Sequence, residues 1–308
     1  MALTAEAGAK IQCNTAEGQL RIWQVKTPCR LELFLLDCLP NASRESIRRA
    51  LAAGACEVDS VVRPLGFRLT AGAVVRLDPA ARITEVCPES IPLSILYEDG
   101  DLIAINKPSG MLVHPTGRER TGTVANALRG MGHLTAHILH RLDRDTSGVL
   151  LAAKSLPRHS PLAHLFASRE VEKRYLAVCA EPVPWEEKVL TFPIGRDPER
   201  RPQWNLLATG AAAETRLRVL KREGSAVLLE AEPVTGRTNQ IRIHCAAAGH
   251  PLLGDTAYGG PSATRLMLHA WTLTLPALLF GGLKITAPPP PEFPPFTGGS
   301  RPVNIDES

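Results

Sequence analysis

Between residues 30 and 54 the apolar positions recur every three or four residues, whereas beyond residue 95 most segments alternate with a period of two. LELFLLDCL (31–39) therefore reads as a short amphipathic helix. PNASRESIRRALAAG (40–54) reads as a second, with Ser43 or Asn41 as its cap, Ile47, Ala50 and Leu51 on the apolar side, and Gly54 as its end. The segment that follows, ACEVDSVVRPLGFRLTAGAVVRLD, breaks into short β pieces at Asp59–Ser60, Pro64–Gly66 and Ala71–Gly72. Helices and a small sheet together predict a compact module over 28–86, behind a lead-in of 1–27 that carries a short strand at LRIWQV (20–25).

After a linker at 87–94, ILYEDGDLIAIN predicts two strands around an Asp99–Gly100 turn, followed by a glycine- and proline-containing loop. TVANALRGM is expected to be helical. HILHRLDRDTSGVLLAAKS (137–155) reads as strand, loop and strand, and LPRHSPLAHLFASREVEKRYLAVCA (156–180) as a helix feeding a strand. ETRLRVL, AVLLEAEPV and QIRIHCAAAGHP continue the alternation. The mixture predicts an α+β fold with a large antiparallel or mixed sheet over 95–286, ahead of an extended proline-rich tail at 287–308.

Composition narrows the class. A chain of 308 residues with 44% hydrophobic and 21% charged positions has room for two cores and is not wholly disordered. Its long apolar stretch WTLTLPALLFGGL (271–283) is broken by Pro276 and paired glycines, so it predicts a strand and a turn, not a membrane span. MALTAEAGAKIQCN lacks the basic start and apolar run of a secretion signal, which makes a cytoplasmic location the expectation. The seven cysteines include no CxxC and read as reduced structural thiols. His133, His137 and His140 are helix-spaced in part but have no HExxH or carboxylate partner, so no metal site is expected. The net charge is +4, and 27 of the 35 basic residues are arginine, which permits a polyanionic partner without demanding one.

Chemistry-bearing residues concentrate in two runs. HRLDRDTSG (140–148) packs His140, Arg141, Asp143, Arg144 and Asp145 between apolar strands, as an active loop at a sheet edge or as a charged surface turn. GxGxxG and GxxxxGK[ST] are absent and the loop lacks the kinase order, so neither a dinucleotide cradle nor ATP phosphotransfer is supported. The second run is TGRTNQIRIHCAAAGHPLLGD (235–255). Read as a strand, it places Gln240, Arg242 and His244 on one face, where Arg242 needs an acceptor. Asp143 would serve, and would itself be held ionised. Arg44, Arg48 and Arg49 form either a solvated helix face or a phosphate-contacting one.

These motifs, with INKPSGMLVHP (105–115), EKRYLAV (172–178) and IGRD (194–197), resemble the RluA-type family of RNA pseudouridine synthases in family order over roughly 90–285. The module over 30–78 is similar to an S4-like RNA-binding domain. The resemblance implies a mixed-sheet catalytic domain that converts uridine to pseudouridine in structured RNA, ribosomal by preference and transfer RNA as the alternative, with no cofactor and as a monomer. It implies Asp143 as the catalytic aspartate and Arg141 as the residue that displaces or replaces the flipped nucleotide. Tyr175 would lie on the target base and assist proton removal at C5, with Arg242 as the basic partner of the aspartate. Lys107 and Pro108 would shape the cleft, Lys107, Arg237 and Gln240 would contact substrate, and Asp145 would not be catalytic. The accessory module would bind RNA through Arg44, Arg48 and Arg49. Two departures stand out. Asn239 occupies a position where the family commonly has histidine, which predicts altered packing or tuning, and CEVDSVV replaces the VNG-type turn of S4-like domains. A catalytically quiet RNA-binding protein of the same fold is the alternative reading.

Overall fold

Helices α1 (Leu31–Cys38) and α2 (Arg44–Ala52) form where the apolar spacing puts them. A computed structural model of the chain describes residues 20–39, 42–81, 83, 86–116, 118–197 and 203–293. Ser43 caps α2, its Oγ accepting the Ser46 N–H at 3.2 Å and so satisfying a first-turn amide. Asn41, the other cap candidate, lies outside the described residues. Ile47, Ala50 and Leu51 face inward, and Arg44, Arg48 and Arg49 are exposed.

Around these helices run β1 (Arg21–Gln24), β2 (Cys29–Arg30), β3 (Cys56–Val58), β4 (Val61–Val62), β5 (Arg68–Leu69) and β6 (Val74–Leu77). β1, β6, β3 and β4 make an antiparallel sheet in that order, and β2 pairs with β5. Trp23, Leu35, Ile47, Val58 and Leu77 join one buried cluster, which makes removal of apolar surface the main stabilising term of this module. β1 falls inside the segment read as a lead-in, so the module starts before residue 28. Residues 1–19 and 294–308 lie outside the described residues.

The chain divides into two compact units. One comprises the described parts of Met1–Pro92, His114–His137 and Lys154–Pro157, and includes α3 (Val124–Gly130). Thr123 and Asn126 form a capping box at its start. The Asn126 Nδ2 also donates to the Cys87 carbonyl at 2.8 Å, and the Glu89 N–H donates to the Asn126 carbonyl at 3.1 Å, so the expected linker is pinned along α3.

The other unit comprises the described parts of Leu93–Val113, Ile138–Ala153 and Arg158–Ser308. Its strands are β7 (Ser94–Glu98), β8 (Leu102–Lys107), β9 (His137–Ile138), β10 (Ser147–Ala153), β11 (Glu172–Ala180), β12 (Glu187–Leu190), β13 (Ile194–Arg196), β14 (Trp204–Leu206), β15 (Thr215–Glu223), β16 (Ala226–Pro233), β17 (Leu268–Thr274) and β18 (Lys284–Thr286). Helix α4 (Leu156–Ala167) precedes β11 in the chain. The large sheet runs β12-β15-β16-β11-β17-β10-β8-β7, with β18 beside β17 and β9 beside β10, and β13 pairs with β14 as a separate ribbon. Its β10–β17 pair is parallel and its long neighbours are antiparallel, the mixed sheet expected.

β10 is buried at every position, so it reads as a continuous apolar run and not as an alternating one. Gly148 sits in it at φ +110°, and a Cβ there would lie 2.1 Å from the Ala270 carbonyl oxygen. Only glycine lets β17 approach that closely. The segment 271–283 forms the end of β17 and then a helical turn, α6 (Ala277–Phe280). Among the described residues no helix is long and apolar enough to cross a membrane.

QIRIHCAA is not a strand. It forms helix α5 (Gln240–Ala247), launched from Asn239 in the left-handed region at φ 55°. Ile241, Ile243 and Cys245 are buried, and that spacing fits a strand face as well as the inner side of a short buried helix. Gln240 and His244 still share a face, because they are four apart, and both meet Thr215 Oγ1 on β15, at 3.0 and 2.9 Å. Arg242 points elsewhere, to Asp255.

Candidate active site

The loop that enters β10 carries Asp143. The Thr146 N–H donates to the Asp143 carbonyl at 3.2 Å, closing a turn, while Leu142 is 5% exposed and anchors the loop in the core. Lys107, at the end of β8, is fully buried, and its Nζ donates to the carbonyls of Pro108, Met111 and Arg144 at 2.8, 2.7 and 2.8 Å. Those bonds use all three ammonium protons. Lys107 thus ties the 108–111 loop to the 143–146 turn, and it is not among the residues that line the neighbouring cavity. Burial draws its pKa down to about 7 against the pull of the Asp145 and Asp143 carboxylates. The Ser109 Oγ, donating to the Asp145 carbonyl at 2.7 Å, adds a second tie between the same loops.

Beside this turn lies a cavity of about 300 Å³ lined by His140, Arg141, Asp143, Thr146, Tyr175 and Arg237, among others. Tyr175 sits on β11 opposite Ala231 of β16 and Ala270 of β17. Register shifts at Arg174/Tyr175, leaving Trp271 as an extra residue on β17, and such a bulge re-aims side chains. Burial first, and the Asp143 charge second, push the Tyr175 phenol well above its ordinary value. These influences favour the neutral phenol, whose aromatic face is suited to lie against a base. His140 is also neutral. Its Nε2 accepts the Leu151 N–H at 3.1 Å, its ring stacks on Phe166 with centroids 4.8 Å apart, and burial takes its pKa to about 3.

Asp143 is governed by two opposing influences. Burial raises its pKa above the ordinary carboxylate value, and Arg242, Arg141 and Lys107, in that order, pull it back, with Asp145 adding to the rise. The net shift is upward; Arg242 still gives the strongest pull toward the ionised form, but the expected direct pairing of Arg242 with Asp143 is corrected. Arg242 has a different direct partner. Its Nε and Nη2 donate to Asp255 Oδ2 and Oδ1 at 2.7 and 2.6 Å, a two-pronged pair whose carboxylate has no exposed side-chain area. Nη1 donates to Asn239 Oδ1 at 3.1 Å, and the guanidinium lies 4.9 Å from the Tyr258 ring centroid. Arg242 acts on Asp143 through its field while Asp255 fixes where that field originates.

Asn239 is absorbed into this network. Besides accepting from Arg242, it donates from Nδ2 to the Tyr258 hydroxyl at 2.9 Å, and that hydroxyl donates to the Trp204 carbonyl at 2.9 Å. Gln240 lines the cavity, but its amide is fully used: Oε1 accepts from Thr235 Oγ1 and the Arg237 N–H at 2.6 and 3.0 Å, and Nε2 donates to the Glu214 carbonyl and Thr215 Oγ1 at 2.8 and 3.0 Å. These bonds make it a brace of the 235–240 loop. Arg237 donates its Nε to the Ala212 carbonyl at 3.1 Å and lines the cavity.

Asp143, Arg141, Tyr175 and Arg237 thus meet at one cavity; Arg242 and Lys107 support it from within the protein, and Arg44, Arg48 and Arg49 belong to the other compact unit. Asp255 and Thr146 were not singled out from the sequence. Asp255 closes the second motif as an acidic residue within reach of a buried arginine, which was the available signal. Among the described residues no group of three or more His, Cys, Asp or Glu could hold a metal ion.

A family model described as RNA pseudouridylate synthase matches residues 101–247. The ribosomal large subunit pseudouridine synthase D of Nitrosomonas europaea is 34% identical, over 88% of this chain and 83% of its own length. The chain belongs to the RluA-type RNA pseudouridine synthases. An uncharacterized RNA pseudouridine synthase of Aquifex aeolicus is 36% identical over 76% of this chain and 78% of that protein. A synthase D of Neisseria meningitidis is 36% identical over 75% of this chain, which spans 64% of that relative's length. Among solved structures, human RNA pseudouridylate synthase domain containing 1 matches with a TM-score of 0.57 and 27% identity, over 65% of this chain and 84% of that one. The family is therefore an RNA isomerase family, and its matched region contains Asp143, Tyr175, Arg237 and Arg242.

Proposed function

We propose that this enzyme converts uridine to pseudouridine in ribosomal RNA, with Asp143 as the reacting carboxylate and no cofactor. The observation that carries the reading is the cavity in which the Asp143 carboxyl, the Tyr175 phenol and the Arg141 and Arg237 guanidinium groups converge. The reaction breaks the bond from N1 to C1′, forms one from C5 to C1′, and moves a proton from C5 to the ring nitrogen. Atoms and electrons balance without an oxidant, reductant or group donor. Asp143 serves either as a nucleophile at the sugar or as a base that opens a glycal route, and both need a carboxylate held against the nucleoside. Its activity then depends on ionisation that burial opposes and the nearby cations favour.

A uridine must leave its stack to enter a cavity of this size. A neutral Tyr175 offers an aromatic face to the uracil while it turns, and exposed Arg141 is the side chain available to take the vacated place in the RNA. The choice of ribosomal RNA is supported by the relatives named for the ribosomal large subunit. The sequence resemblance of the first module to an S4-like domain points the same way, and its exposed Arg44, Arg48 and Arg49 suit phosphate contacts.

The test is site-resolved pseudouridine mapping of ribosomal and transfer RNA from a strain lacking the gene, complemented with the intact chain or with Asp143→Asn. One or more ribosomal uridines modified only by the intact chain is the expected result. A site in transfer RNA alone would overturn the substrate assignment. Full modification by D143N would overturn the catalytic one, and RNA binding with no gene-dependent site would favour the quiet RNA-binding alternative.

A further inference from the structure

Lys173 carries a charge that the roles assigned so far do not use. It stands two residues before Tyr175 on β11, so the alternation of the strand puts both side chains on one face, and both residues line the Asp143 cavity. Lys173 is half-buried, yet its ammonium has no hydrogen-bond partner and no carboxylate among the described residues, and the nitrogen is not sealed inside the protein. The buried Lys107 shows the contrast, with three carbonyls on its three protons.

The neighbouring groups have no acceptor to offer. His140, which lines the same cavity, spends the Nε2 lone pair of its neutral ring on the Leu151 N–H, so the ring proton sits on Nδ1. Glu172 alternates to the other face of β11 and accepts from Arg174, and Glu170 accepts from Ser168. The cations that act on Asp143 are Arg242, Arg141 and Lys107. Burial first, and the Arg169 charge second, draw the Lys173 ammonium below its ordinary value, so the charge that acts on it is another cation. Arg169 is exposed and sits at φ 65°, in the left-handed region where glycine or asparagine usually closes a helix. The Ser168 and Glu170 N–H groups, donating to the His164 and Leu165 carbonyls at 2.8 and 3.0 Å, hold the chain in that turn.

A methionine at 173 would keep the apolar stem and leave no charge to desolvate. Lysine is the poorer choice for the empty protein and the better one when an anion enters. Uracil and ribose are neutral, and phosphate is the anion that RNA brings.

We propose that the Lys173 ammonium binds a backbone phosphate next to the flipped uridine and so seats the nucleotide against Asp143. This rests on the reading that the cavity receives the target uridine. The nucleotide drawn into the cavity carries a phosphate on its 5′ side and another on its 3′ side, and the experiment separates the two.

Wild type is compared with Lys173→Met and Lys173→Arg on an RNA fragment bearing the uridine that the mapping identifies. Tritium release from C5-labelled uridine gives kcat/KM, filter binding at several salt concentrations gives Kd and its salt slope, and thermal unfolding is followed for each protein. K173M is expected to lose about tenfold in kcat/KM and to flatten the salt slope by about 0.7–0.9, the share of one phosphate contact, whereas K173R keeps the slope and stays within about threefold of wild type. K173M should unfold at the wild-type temperature or higher, because an unpaired half-buried cation is gone. Fragments with a methylphosphonate on the 5′ or the 3′ side of the target, each against its 2′-deoxy control, identify the phosphate. Neutralising the one that Lys173 holds costs wild type about tenfold and K173M nothing further, and neutralising the other costs both proteins equally.

A K173M enzyme within about threefold of wild type, or one with an unchanged salt slope, overturns the proposal. So does full additivity with both methylphosphonates, or a K173M protein destabilised in proportion to its lost activity. Failure of the underlying reading has a different signature, turnover by D143N. That variant is measured in the same series.

Discussion

Replacing Asp255 by asparagine removes the charge that faces Arg242 and leaves a guanidinium with 12% side-chain exposure beside an amide in a site with no exposed area. Two charge-assisted bonds of 2.6 and 2.7 Å are lost or weakened, and the cation keeps only Asn239 Oδ1 and the Tyr258 ring. Breaking one side of a buried ion pair costs about 3–5 kcal/mol, since the remaining charge is neither solvated nor paired. For a unit of this size each kcal/mol shifts the midpoint by about 2–4 °C, so D255N should melt roughly 6–20 °C lower. Urea unfolding and thermal scans measure it directly. Catalysis supplies a second readout: with Asp255 neutral, the field of Arg242 is less compensated and Asp143 ionises more easily. The acid limb of kcat/KM should then move to lower pH even as the maximum falls. The decisive control is the double variant Arg242→Met with Asp255→Leu, which should regain most of the lost stability while remaining inactive. A D255N protein within about 1 kcal/mol of wild type, or a double variant whose loss equals the sum of the singles, would refute the argument that the pair is a buried mutual dependence.

The upward shift of Asp143 predicts that kcat/KM falls off on the acid side at a pH above the ordinary carboxylate value, and Arg141→Gln should move that limb higher by removing a cation that favours ionisation; an unmoved limb in the tritium-release assay would contradict it. His140 and His269 titrate in the folded protein at about 3 and about 4, below the usual histidine value, so the unfolded chain binds more protons below about pH 6.5. Their contribution is complete above that pH and is lost as pH falls toward 4 and then 3, with a slope of up to about 2.7 kcal/mol per pH unit for two protons. Urea unfolding between pH 7.5 and 5 should show a flatter dependence in His269→Leu than in wild type. Gly148→Ala should prevent formation of the β10–β17 pair, because both the positive φ and the 2.1 Å approach to the Ala270 carbonyl exclude a Cβ; a folded G148A with the wild-type melting temperature would show that this approach is dispensable.

Local patterns in the sequence determined much of this protein. The α1 and α2 spacing, the Ser43 cap and the long alternating segments specify elements whose partners are near in sequence, because helical and strand periods are local properties. The run 140–148 around Asp143 was equally legible, since reactive residues bracketed by apolar strands stand out without a fold, whereas Tyr175 was singled out only by the family resemblance. Other features depended on which segments the fold brings together. Ile241, Ile243 and Cys245 satisfy a strand and a buried helix alike, and the packing of α5 against β15 made it a helix. That choice moved Arg242 from Asp143 to Asp255, thirteen residues on, a partner that charge alone could not select. Lys107 and Gln240 look like substrate contacts as side chains in a motif, yet the backbone carbonyls and hydroxyls around them take every donor they have. Sequence names the groups able to do chemistry; the tertiary structure decides which of them are already spoken for, because hydrogen-bond capacity is finite and is filled first by the protein itself.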